Sequence, residues 1–112
     1  MNEYDILIDK IEMLEFHQRL LLKLIDDPRL EFYRLLVENR ISEHELKRFL
    51  TLCDELSKKL EEQRTEGYVY FHPLYLELAA GLPEKLEIRS VIQACFTQKI
   101  CEPLFKELAK YT

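Results

Sequence analysis

Three histidines, three cysteines and a few adjacent carboxylates are the residues of this chain whose types could do chemistry. His17, His44 and His72 stand far apart, and none forms the close His/Cys ligand pair that structural zinc sites show. No metal site is expected. Cys95 and Cys101 lie six apart, which puts them on different faces of a helix, while Cys53 and Cys95 fall on apolar stripes that usually bury a small thiol. Only Cys101, near a helix end, has the setting of a nucleophile or sensor, and three structural thiols are the prevailing reading. The pairs Asp26/Asp27, Asp54/Glu55 and Glu61/Glu62 are neighbours in sequence, so on a helix they diverge by ~100° and share no proton. Gly67 and Gly81 are the only glycines, so neither a dinucleotide fingerprint nor a phosphate loop can be written. The expectation is a non-enzyme with no catalytic, cofactor-binding or metal-ligating residue and no cofactor.

The elements behind these residues follow from composition. The 112 residues are 47% apolar and 33% charged, enough for one domain, 1–112, with a real core. Two glycines and four prolines against 21 leucines and 16 glutamates leave too few turn-makers for a β fold. The expected class is all-α, a bundle of five or six helices with two long helices, homo-oligomeric. The net charge is −5, and of the segments 1–27 (−4), 28–41 (+1), 42–67 (−2) and 68–112 (0) none is a basic arm, so nucleic acid is not the expected partner. Asn2, Glu3 and Asp5 lack the basic start of a signal peptide, and no apolar run reaches the ~20 residues that span a bilayer. A cytoplasmic protein without membrane contact is expected, its odd number of cysteines reduced.

Periodicity and punctuation place helices over about 3–26, 28–39, 43–66, 73–80, 84–101 and 103–111. Asp27 is the expected N-cap ahead of Pro28, and helix 28–39 reads as mostly buried, with Arg29, Arg34 and Arg40 outside. Ser42 and Glu45 spell a capping box, and Gly67 is placed to end the long helix in the left-handed conformation. Pro73 and Gly81 bracket a short helix, and Pro83 and Pro103 are read as openers of the next two. The two long helices are expected to pair. Tyr68, Tyr70, Phe71 and Tyr75 read as a plug at the bundle end, with an aromatic binding surface as the alternative.

The first helix is the informative one. Tyr4, Leu7, Ile11, Leu14, Leu21 and Ile25 form a seam with Gln18 as its one polar member, and Ile6, Met13, Phe16, Leu20 and Leu24 fall on the opposite side. Two apolar faces need two partners. One face is expected to pack within the monomer and the other to meet a second copy or another cytoplasmic protein, which predicts a self-associating interaction or scaffold module. The alternative is an oligomeric helix-turn-helix regulator built from helix 28–39 and the helix after Ser42. Against it, Glu43 and Glu45 at the first turn of the would-be reading helix repel phosphates.

Several stretches carry a resemblance: FYRLL at 32–36, LCDEL at 52–56, EGYVYF at 66–71 and VIQACFTQKICEPLFKEL at 91–108. From residue 32 to about 108 the chain resembles the YhaI-like family of small proteins from Bacillus-type bacteria; the first helix is similar mainly in pattern. The resemblance implies an all-helical fold and self-association, and it carries no activity, substrate or site. Members have a glycine after the tail glutamine, where this chain has Lys99 after Gln98.

Overall fold

The computed structural model describes residues 2–112. Its helices are α1 (Glu3–Leu24), α2 (Glu31–Glu38), α3 (Glu43–Thr65), α4 (His72–Gly81), α5 (Ile88–Gln98) and α6 (Glu102–Leu108), with single 3-10 turns at Pro28–Leu30 and Ala109–Tyr111. The chain is 78% helical, and no strand occurs among the described residues. The class is therefore all-α.

Local signals set most of the ends. Ser42 Oγ accepts from the Glu45 N–H at 3.1 Å while the Glu45 carboxylate accepts from the Ser42 N–H at 3.1 Å, a complete capping box. That carboxylate, held by the Ser42 backbone, sits below its usual range. At the other end of α3, Gly67 adopts φ +93°, and the Tyr68 N–H reaches back to the Gln63 carbonyl at 2.9 Å. Asp27 caps the turn that leads into α2, accepting from the Arg29 N–H at 3.0 Å.

Three ends differ from expectation. Helix α1 stops at Leu24 rather than at 26, because Ile25 is extended and two acidic residues at the negative end of a helix dipole oppose continuation. Pro83 opens a turn and not a helix: α5 starts at Ile88 with Glu87 as N-cap, its carboxylate accepting from the N–H groups of Arg89 at 3.0 Å and Ser90 at 2.9 Å. A two-donor cap outweighs the preset φ of a proline. Finally, no helix runs through to 101, because Lys99 takes φ +62° and the Ile100 N–H closes on the Cys95 carbonyl at 2.9 Å. Lysine thus does at this break what glycine does more cheaply. Lys99→Gly should raise stability by about 0.5–1 kcal/mol, the left-handed penalty less the extra freedom glycine gives the unfolded chain. A urea midpoint that falls, at unchanged slope, would show that the Lys99 side chain contributes more than its backbone costs.

The core lies entirely between Phe32 and Leu108. Phe49, Cys53, Leu56 and Leu60 of α3 meet Leu74 and Leu78 of α4, and Val91, Ile92, Leu104, Phe105 and Leu108 of α5 and α6 complete the packing. Phe32, Phe49 and Phe105 stack in a row with centroids 5.4 and 6.4 Å apart. Long-range polar contacts lock the ends: Gln98 Oε1 accepts from the Phe32 N–H at 2.8 Å and the Tyr33 N–H at 3.3 Å, so α5 caps the start of α2. Gly81 ends α4 against Leu52, whose Cδ2 lies within 2.5 Å of where a Cβ would stand, so a larger residue there would have to move the end of that side chain.

The expected pairing of the two long helices does not occur. The single apolar stripe of α3 is used up by α4 and α6, and α1 packs extensively on no other helix. Nor does either face of α1 pack inside the monomer: the helix holds no buried residue. It extends outward, giving a molecule of 66 × 27 × 18 Å with a radius of gyration of 17.6 Å, against ~13 Å for a compact chain of this length.

Candidate interaction surface

Local chemistry favours both ends of helix α1. The Asn2 side chain caps it by accepting from the Asp5 N–H at 2.8 Å, Glu3 and Asp5 complement the positive end of its dipole, and Lys23 complements the other. Three contacts tether its second half to the body. The Gln18 amide donates to the Val37 carbonyl at 3.4 Å, Arg40 faces Glu15 at 3.7 Å, and the Arg34 guanidinium donates to the Ile25 carbonyl. These hold α1 alongside α2 without burying it.

All the apolar residues singled out on α1 are exposed. In the seam, Leu14 is 66% exposed, and Tyr4, Leu7, Ile11, Leu21 and Ile25 lie open beside it. Phe16, Leu20 and Leu24, with Ile6 and Met13, are exposed on the other side. Eleven of the twenty large apolar side chains exposed among the described residues stand between Tyr4 and Ile25. That concentration exceeds the scattered apolar residues that protein surfaces normally show.

Between the second half of α1 and the end of α2 runs an open groove of about 1120 Å³. Leu14, Gln18, Leu21 and Ile25 line one side, Val37 and Ile41 the other. The second wall is a finding of the fold. Helix α2 is less buried than its composition suggests, because only Phe32 and Leu36 are buried and Leu35 partly so, while Tyr33 and Val37, with Leu30 just before the helix, face outward. Their spacing of three and four forms a stripe in the sequence, but so does that of the inward residues.

The other candidates resolve differently. Cys53 and Cys95 are fully buried, and burial foremost, then neighbouring thiols, pushes both up in pKa, so they are protonated at neutral pH. Cys101 is half-buried at a backbone φ of +43°. Among the described residues no three His, Cys, Asp or Glu side chains are grouped to hold a metal ion. Among the described residues no helix is long and apolar enough to cross a membrane. At the start of α3, Glu43 pairs with Lys47 at 3.1 Å, which occupies one of the few cations a nucleic acid would meet there.

The aromatic segment divides. Phe71 is buried, its N–H donating to Tyr111 Oη at 2.8 Å, and Tyr75 and Tyr111 flank His72 at 5.5 and 5.6 Å between ring centroids. Tyr68, Val69 and Tyr70 stay outside. Nearby, Glu107 is the one buried charged residue among those described. Burial alone would raise its carboxyl, but hydrogen bonds from Arg64 at 2.9 Å and Lys110 at 3.3 Å outweigh that and hold it below its usual range. This pairing is structural, closing α3 onto α6.

Fold and surface together define a small all-helical bundle that carries a long amphipathic helix outside its own core. The chain belongs to the family described as protein of unknown function (DUF1878), whose model matches residues 4–112 and so takes in α1 as well as the bundle.

Proposed function

We propose that this protein works by self-association through α1, as a helical interaction or scaffold module of the cytoplasm with no catalytic chemistry of its own. The observation that carries the reading is a 22-residue helix with apolar side chains on both faces and none of them buried. A helix with two apolar faces is stabilised when those faces are covered. Covering such a face removes apolar area from water at ~25 cal/mol per Å², enough to offset association entropy when several large side chains are enclosed. The resemblance of residues 32–108 to the YhaI-like proteins of Bacillus-type bacteria supports the same reading. Another cytoplasmic protein is the alternative occupant of the surface. Sedimentation equilibrium at micromolar concentration should give a dimer or larger species. A mass that stays at 13.5 kDa would remove the proposal.

A further inference from the structure

The groove beside α2 holds only half of the apolar seam. Leu14, Gln18, Leu21 and Ile25 lie in it, whereas Tyr4, Leu7 and Ile11 continue past the body with exposures of 69%, 58% and 49%. One copy cannot fill its own groove with its own free half, because the two halves are one continuous helix. Leu7 and Gln18, eleven residues apart, are held ~16 Å from each other. The missing occupant must be an apolar helical face supplied in trans.

Charge selects which one. The free first part of α1, residues 3–12, carries Glu3, Asp5, Asp9 and Glu12 against Lys10, a balance of −3, and the groove part, residues 13–24, carries Arg19 and Lys23 against Glu15, a balance of +1. Among the described residues Asp5, Asp9, Glu12, Arg19 and Lys23 have no ion-pair partner. Of the charged residues lining the groove, Arg40 is paired with Glu15 and Glu38 with Arg34, which leaves Arg19 as the one without an ion-pair partner among the described residues. Two first halves laid together would repel. A first half laid on a second half brings carboxylates to unpaired cations and apolar seam to apolar groove.

We infer that the acidic first half of α1 from one copy seats in the α1/α2 groove of a second copy. This rests on the self-association reading and goes beyond it by naming the donated segment and the receiving site. Two copies exchange the segment reciprocally, or each copy of a ring passes it to the next; the charge pattern sets the sense of the contact, and the rotation between copies sets the number.

The test uses the full chain carrying Leu7→Cys co-expressed with the full chain carrying Val37→Cys, treated with a short bismaleimide, with wild type and each variant alone as backgrounds. Both positions are exposed enough to tolerate the change, at 58% and 36%. Covalent product joining position 7 to position 37 should exceed either background at least tenfold. Sedimentation equilibrium of the same samples separates the two claims. An oligomer that yields product only between two copies of position 7, or none at all, overturns the exchange and leaves self-association standing. A 13.5 kDa species overturns both.

Discussion

Phe105→Ala should cost the fold about 3–5 kcal/mol, the range for removing a fully buried phenylalanine from a core that cannot collapse around the gap. Phe105 is completely buried on α6 and ends the aromatic row that begins at Phe32, so truncation empties the junction of α3, α5 and α6 at once. A domain of this size holds roughly 5–15 kcal/mol in all, so the loss is a large share of it. The measurement is urea unfolding followed by circular dichroism, at matched protein concentration because association stabilises the folded state. Phe16→Ala on α1 is the control, since Phe16 is 48% exposed and truncating it leaves no cavity. A midpoint shift for Phe105→Ala corresponding to less than about 1 kcal/mol would contradict the described core.

The second large effect separates folding from assembly. Leu14→Glu with Leu21→Glu places two charges per copy in the groove half of the seam, and Phe16→Glu with Leu20→Glu does the same on the opposite face. Each buried leucine contributes about 1.5–3 kcal/mol, so losing two from an interface should raise the dissociation constant more than about a hundredfold. The first pair should give a 13.5 kDa species in sedimentation equilibrium. Neither pair should abolish folding, because no residue of α1 is buried. The bundle from α2 to α6 should keep its cooperative unfolding, while α1 loses helicity, since a helix of this length without packing is marginal in water. Collapse of the bundle in either variant would mean that α1 is part of the monomer core.

Features that depend on a few neighbouring residues are legible in the amino-acid sequence. The Ser42 capping box, the Gly67 stop, Asp27 ahead of Pro28 and the α3 stripe are each decided within one or two turns of helix, where steric preference and nearby hydrogen bonds dominate. The two-faced character of α1 is of the same kind, since it is a property of spacing alone. What tertiary structure decided is where each apolar face goes. Both stripes of α2 fit a helical period, and only the approach of α5 chose Phe32 and Leu36 for the core and left Val37 to wall the groove. Likewise Gln98 meets the α2 amides from 66 residues away, and Glu107 meets Arg64 from 43 away. The left-handed turn at Lys99 is imposed by the packing of α6 back onto α5 against the residue's own preference. The sequence by itself determined that α1 is a helix with two apolar faces. The bundle decided that it would cover neither, because the one stripe of α3 was already filled by α4 and α6.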